Sequence, residues 1–475
     1  MQSSYADVAR IIPEIFLTSL ALLLLMMELV TKKKEFIGFI GIIGVVITAY
    51  LTLITNPGRA FSDMFIVDGY SNFFKLIFYL NVILTILISI RYLKIEGVNL
   101  GEYYSLILFA TLGMMIMASG TDLIVIYLGL ELMALSTYVL AGFLRHEIRS
   151  NEAALKYFLL GAFSSAFLLY GIALTYGMTG TTNLKDIASY VTQHGIAKNP
   201  VFTLSMIMFI IAFGFKIAAA PFHMWAPDTY EGAPTSITAF MSVGPKAAGF
   251  AAMGRVFFDA LGPIRLDWVA VIIPIAILTM AVGNIIAISQ TNIKRMLAYS
   301  SIAHAGYALL GLIAGGSEGL SSMMNYLLIY AFMNVGAFAV IIMLRREGFK
   351  GEDIEDYSGL AKRHPLAAGL MLVFMFSLTG IPPTAGFVGK FYLFMSAIRA
   401  GYTGLVIVAV IFSAISAYFY LRIVMYMYMR EPKAEVELST SAPLGIALAI
   451  TVAGVLILGV FPSIVIHLAK ASLLG

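Results

Sequence analysis

The chain has 475 residues, 60% of them hydrophobic and 12% charged, against about 45–50% and 25% in soluble domains. A soluble protein of that length could not cover its cores with so few charges. Thirty Lys+Arg nearly cancel 26 Asp+Glu, which argues against nucleic acid as partner, and the lack of cysteine excludes disulfides, iron–sulfur clusters and cysteine zinc sites on this chain.

A hydrocarbon core of about 30 Å needs roughly 20 apolar residues per helix. By that rule the sequence predicts an all-α polytopic membrane protein with fourteen spans, near residues 11–30, 36–54, 70–93, 103–118, 121–144, 150–177 and 201–221, then 236–258, 267–289, 293–314, 322–344, 365–398 (interrupted), 403–428 and 443–468. A β-barrel would show short alternating runs instead. The first run is too long for a cleavable signal, lacks a small-residue cleavage site, and precedes Lys32-Lys33-Lys34. Gly38, Gly41 and Gly44 recur every third residue within the second span and are read as packing glycines, not a nucleotide loop.

Loops on the side of Lys32–Lys34 carry sixteen bases (32–34, 91, 94, 145, 149, 294, 295, 345, 346, 350, 362, 363, 430, 433). The opposite loops and termini carry seven (10, 59, 185, 198, 265, 399, 470). The odd-numbered loops are therefore expected in the cytoplasm and both termini outside. Seven bases fall within spans: Lys75, Lys156, Lys216, Lys246, Arg255, Lys390 and Arg422. Lys75, Lys156, Arg255 and Arg422 lie near span ends and are expected to snorkel, Lys156 with Glu152 one turn earlier.

Two stretches match when offset by 169 residues, Lys156-Tyr-Phe-Leu-Leu-Gly-Ala-Phe163 and Asn325-Tyr-Leu-Leu-Ile-Tyr-Ala-Phe332, and proline breaks recur at Pro221 and Pro382-Pro383. Both pairs lie five spans apart. An odd offset makes spans 4–8 and 9–13 inverted five-helix repeats, with spans 7 and 12 broken. The expected division is 1–100 for the first three helices, 101–262 and 263–430 for the repeats, and 431–475 for the last helix.

Glu131 lies about 15 Å into the fifth span, near the midplane. Lys246 is as central after Pro245, Lys216 precedes the first break, Lys390 follows the second, and His304 sits mid-span. Charges at that depth are functional-site hypotheses by default, although a Glu–Lys pair or a lone His can also be structural. Burial lowers a lysine's proton affinity, a nearby carboxylate raises it, and lysine, unlike arginine, can lose its charge. The expected chemistry is a proton relay in which Glu131 toggles Lys216 and the proton passes through Lys246 and His304 to Lys390. His223, Asp228 and Glu231, in the segment after Pro221, fit no metal motif and are expected at a cytoplasmic-side proton uptake point or a subunit contact.

Several blocks carry a resemblance: Ile12-Pro-Glu14-Ile, Gly129-Leu-Glu131-Leu-Met, Leu155 through Ser165, Phe215-Lys216 through Trp225, Asn292 through His304, and Gly380-Ile-Pro-Pro through Lys390. Over nearly its whole length the chain resembles the antiporter-like membrane subunits of respiratory complex I, the proton-translocating NADH:quinone oxidoreductase, and among them the bacterial N-subunit family. The Lys-Arg-Met-Ala-Tyr-Ser and Gly-Ile-Pro-Pro blocks are superfamily-wide, whereas Pro-Glu-Ile and the sixth-span block are more particular. The resemblance implies that Glu131, Lys216, Lys246 and Lys390 form the axial proton-transfer set in a bacterial inner membrane. It implies no cofactor and no metal on this chain, with NADH, FMN, iron–sulfur clusters and quinone on other subunits. The implied partners are adjacent antiporter-like and small membrane subunits and the lipid bilayer. A cation/proton antiporter or membrane-bound hydrogenase subunit is the alternative. A solute transporter would instead cluster polar residues at one midplane pocket. The residue that exports the proton stays open.

Overall fold

The computed structural model describes residues 2–98, 100–194, 199–432 and 438–473. Lys198 and Lys433, counted above among the loop bases, lie outside the described residues. Among the described residues, twenty α-helices run in chain order. The first eight are α1 (Gln2–Arg10), α2 (Ile12–Val30), α3 (Lys34–Ile54), α4 (Gly69–Ile95), α5 (Glu102–Ser119), α6 (Leu123–Ala141), α7 (Ile148–Thr179) and α8 (Leu184–His194). There follow α9 (Pro200–Lys216), α10 (Trp225–Gly232), α11 (Thr235–Gly254), α12 (Arg265–Ile288), α13 (Ile293–Ala314) and α14 (Gly316–Leu344). The last six are α15 (Leu360–Arg363), α16 (Pro365–Thr379), α17 (Ala385–Arg399), α18 (Thr403–Met429), α19 (Ala442–Val460) and α20 (Ser463–Ala471). A short antiparallel hairpin, β1 (Gly58–Ala60) on β2 (Phe65–Val67), closes the α3–α4 loop with Gly58 opposite Val67.

Among the described residues, eleven helices are long and apolar enough to cross a membrane: α2–α7, α12–α14, α18 and α19. The other three expected spans are the short apolar α9, the pair α16/α17, and α11, which is buried along its whole length. The last span differs from expectation. It breaks at Phe461-Pro462, because proline has no N–H for the turn before it and so starts α20 instead. The amphipathic α8 and the terminal α1 also lie outside the expected spans.

α13 is buried end to end and α14 nearly so; α4, α10, α11, α12, α16, α17, α19 and α20 pack on one or both. Large apolar side chains point outward on the periphery, Leu29, Val30, Phe36, Ile43 and Phe163 among them. In water that surface would aggregate; against lipid tails or neighbouring subunits it is stable. The glycines of α3 are packing residues as expected: a Cβ on Gly44 would fall 2.2 Å from Leu20.

Helix starts follow from local side chains. Asp68, Asp122, Asn199 and Asn292 accept backbone N–H groups at the N-termini of α4, α6, α9 and α13, supplying acceptors that the first turn lacks. Two of these caps belong to a larger pattern. Leu123 N–H donates to the Thr182 carbonyl (2.9 Å) and Leu184 N–H to that of Thr121 (3.0 Å). Offset by 170 residues (122 to 292, 183 to 353), Ile293 N–H donates to Glu352 (2.7 Å) and Ile354 N–H to Thr291 (2.9 Å). The α5–α6 contact has the same counterpart: a Cβ on Gly113 would meet the Gly129 carbonyl at 2.5 Å, and one on Gly283 would meet Ala303 N at 2.5 Å and the Tyr299 carbonyl at 2.7 Å.

Ion pairs sort the loops into two faces. Lys94–Glu35, Arg345–Glu96, Arg295–Asp228, Lys350–Glu147 and Lys362–Glu431 all join loops on the Lys32–Lys34 side. Arg255–Asp68 and Arg399–Glu318 join loops on the other. Lys294 and Arg345, counted as loop bases, are in fact buried at helix ends, where both pair with Glu352.

Candidate functional site

Two helix breaks define the interior. α9 ends at Lys216, and residues 217–224 turn before α10 begins. The break is held by its neighbours. The Trp225 indole donates to the Phe215 carbonyl (2.9 Å) and stacks on Tyr157 at 4.4 Å, and Ala220 N–H donates to Thr279 of α12 (2.9 Å). The second break, Gly380 to Thr384, separates α16 from α17. Gly380 adopts φ +90°, a conformation glycine takes without strain, and its N–H caps Phe376 and Ser377.

The five expected residues fall on helices of both halves: Glu131 on α6, Lys216 on α9, Lys246 on α11, His304 on α13 and Lys390 on α17. Four are buried, with Lys216 5%, Lys246 2%, His304 3% and Lys390 4% exposed, while Glu131 is half-buried. Glu131 and Lys216 form no direct ion pair. Glu131 Oε1, Lys216 Nζ and Tyr138 Oη are all buried without a hydrogen-bond partner. The Tyr138 ring lies 5.9 Å from Lys216 Nζ, and Tyr138 follows Glu131 by seven residues, on the same helix face. The ammonium thus faces the Tyr138 ring, while the Tyr138 hydroxyl lies against Gly161 of α7.

The other lysines are satisfied. Lys246 Nζ donates to the Ser301 carbonyl (2.5 Å) and to its hydroxyl. Lys390 Nζ donates to the Leu378 (3.2 Å) and Thr379 (2.8 Å) carbonyls and to Ser413 (2.9 Å). It thereby reaches back across the break and caps the negative end of α16. Between the two, His304 Nδ1 contacts Tyr326 Oη at 2.6 Å and Nε2 contacts Tyr420 Oη at 3.1 Å, with Ser300 bonded to Tyr420. The Tyr330 ring lies 5.8 Å from Lys246 Nζ and 5.0 Å from His304, and the Tyr307 ring lies 5.9 Å from His304 and 4.9 Å from Lys390 Nζ. Ser301, Tyr307, Tyr326, Tyr330 and Tyr420 thus connect or surround Lys246, His304 and Lys390 but not Glu131 or Lys216, and the sequence did not mark them as site residues. For Ser301 and Tyr307 the available signal was a position one turn from His304; Tyr326, Tyr330 and Tyr420 carried none.

Two of the four bases expected to snorkel do not. Lys75 is 1% exposed and pairs with Glu14 at 2.6 Å, and Arg255 is 2% exposed and pairs with Asp68 at 2.6 Å. An acidic partner inside the fold replaces the headgroup region as the favourable site for each charge. Lys156 does sit half out, bound to Glu152 and to Asp228, each at 2.7 Å. Asp228 and Glu231 are held by Arg295 at 2.7 and 2.9 Å, and His223 Nδ1 is buried without a partner. Burial raises the Asp228 pKa, but hydrogen bonds from Lys156 and Arg295 outweigh it and hold the carboxyl below its ordinary range. Among the described residues no group of three His, Asp or Glu is placed to hold a metal ion.

A many-helix membrane bundle with two broken helices and a line of buried lysines between them defines the class of antiporter-like membrane subunits. The family described as NADH:quinone oxidoreductase/Mrp antiporter, transmembrane, matches residues 120–416. Subunit N of NADH-quinone oxidoreductase from Trichlorobacter lovleyi is 51% identical over 466 residues, covering 97% of this chain and 96% of that one. A subunit N 2 from Rhizobium meliloti is 50% identical over 468 residues, covering 98% and 97%. A chain of respiratory complex I from Thermus thermophilus superposes with a TM-score of 0.81 at 34% identity, covering 97% of this chain and 100% of its own. A chain of the Mrp complex from Dietzia superposes at 0.84 with 21% identity, a likeness of fold alone. The chain belongs to the family of NADH-quinone oxidoreductase subunit N.

Proposed function

We propose that the chain is the proton-translocating N subunit of a bacterial complex I and relays protons through Glu131, Lys216, Lys246, His304 and Lys390, driven by redox chemistry on other subunits. The observation that carries this is the run of buried side chains from Lys246 through Ser301, Tyr330, His304 and Tyr307 to Lys390 at the second helix break, with Lys216 buried at the first. A lysine that can lose its charge, next to a hydroxyl that both donates and accepts, passes a proton without moving the backbone. Glu131 and Lys216, neither paired directly, form the loading end: as the carboxylate approaches or leaves the ammonium's field, Lys216 gains or loses proton affinity.

The recurring hydrogen-bond pattern at an offset of 170 residues supports two inverted five-helix units, residues 101–262 and 263–430, preceded by 1–100 and followed by 431–475. The excess of bases on the Lys32–Lys34 face supports that face as cytoplasmic and both termini as periplasmic. NADH, FMN, iron–sulfur clusters and quinone belong to other subunits.

The test is the intact complex in sealed vesicles. Lys216→Ala should lose NADH-driven proton uptake; pumping at the wild-type rate would overturn the relay.

A further inference from the structure

On the Lys32–Lys34 face, the α2–α3 and α4–α5 turns enclose a cavity of about 500 Å³. Lys32, Lys33, Lys34 and Lys94 line its mouth, and Leu93 and Tyr104 belong to its apolar wall. The walls are fixed. Lys34 pairs with Glu28 at 2.6 Å, and the other Glu28 oxygen accepts the Gly101 N–H at 2.6 Å, which ties the end of α2 to the start of α5. Lys94 pairs with Glu35 at 3.0 Å. Lys32 and Lys33 are exposed and enter no ion pair among the described residues, so counting these six side chains leaves two positive charges uncompensated. The neighbouring Leu29, Val30 and Phe36 are 80%, 81% and 56% exposed, which places the mouth where the protein surface turns from apolar to basic, at headgroup level.

The geometry points to a binding site for an anionic phospholipid, its phosphate between Lys32, Lys33 and Lys94 and its acyl chains along the apolar wall toward the exposed face of α3. A basic pocket between membrane helices with an apolar floor takes this ligand by charge and by hydrophobic contact together. A zwitterionic headgroup brings its own cation and gains little. Free phosphate lacks the apolar part.

The test uses the full chain in mild detergent, titrated with phosphatidylglycerol, phosphatidylethanolamine or inorganic phosphate and followed by native mass spectrometry. Phosphatidylglycerol should give a saturable adduct, and the Lys32→Ala/Lys33→Ala double variant should bind it about thirtyfold more weakly, from about 1 kcal/mol per lysine. Lys32→Arg/Lys33→Arg should retain it, as should Lys362→Ala on the same face. Unchanged binding in the double alanine variant would overturn the site, as would equal affinity for phosphatidylethanolamine or displacement by inorganic phosphate alone. In the intact complex, a photoreactive residue at position 33 should label lipid; labelling of a neighbouring subunit instead would also overturn it.

Discussion

Replacing Lys390 by methionine keeps the length of the side chain and removes the ammonium. Two carbonyls at the end of α16, Leu378 and Thr379, and the Ser413 hydroxyl then lose their donor. An unsatisfied buried polar group costs about 1–3 kcal/mol in soluble proteins, while hydrogen bonds between membrane helices average nearer 0.6 kcal/mol. Over three acceptors, Lys390→Met should destabilise the fold by about 2–3 kcal/mol. Lys216→Met makes the contrast. Its ammonium has no hydrogen-bond partner, so the change removes a buried charge without orphaning a hydrogen-bonding group, and Lys216→Met should cost less stability than Lys390→Met. Both variants should lose pumping. Denaturant titration of the full chain, followed by the fluorescence of the buried Trp225 and Trp268, measures the difference. Equal midpoints for the two variants would refute the assignment of Lys390 as the cap of α16.

Three further outcomes can be measured on the same preparation. Gly113→Ala should cost about 1–3 kcal/mol, because the new methyl meets backbone atoms of α6, whereas Gly177→Ala, with nothing within 4 Å, should be neutral or mildly stabilising. Lys75→Met should cost about 3–5 kcal/mol by stranding Glu14, and the Lys75→Met/Glu14→Leu double variant should recover most of it, so a double variant as unstable as the single would refute the buried pair. Glu352 is raised by burial but lowered more strongly by Lys294 and Arg345, leaving its pKa below the ordinary 4.5. A depressed acid contributes its stability above the unfolded pKa and loses it as pH falls through the folded one. The wild type should therefore lose stability more steeply than Glu352→Gln below about pH 4.5, and parallel curves would refute it.

The spans were legible because a membrane helix must be apolar for about 20 residues and little else in the sequence is. The breaks were legible because Pro221 and Pro382-Pro383 cannot continue a helix. The charged members of the site stood out by scarcity. Its tyrosines did not, since 25 tyrosines share the sequence and periodicity cannot say which face the centre. Nor could local spacing pair Lys75 with Glu14, or Arg255 with Asp68, because those partners come from distant helices. Snorkelling is the expectation for a lone base near a span end; only the fold supplies the acid that cancels it.

At the 170-residue offset that superimposes Asp122 on Asn292, Glu131 falls on Ser301. One copy thus holds an acid that contacts no lysine directly, and the other holds a hydroxyl that grips Lys246 from the first copy. The halves are also unlike at two further members of the line: at the same offset Ala134 stands opposite His304 and Ser416 opposite Lys246. The proposed relay would therefore meet different groups in each half, and its two ends are chemically distinct.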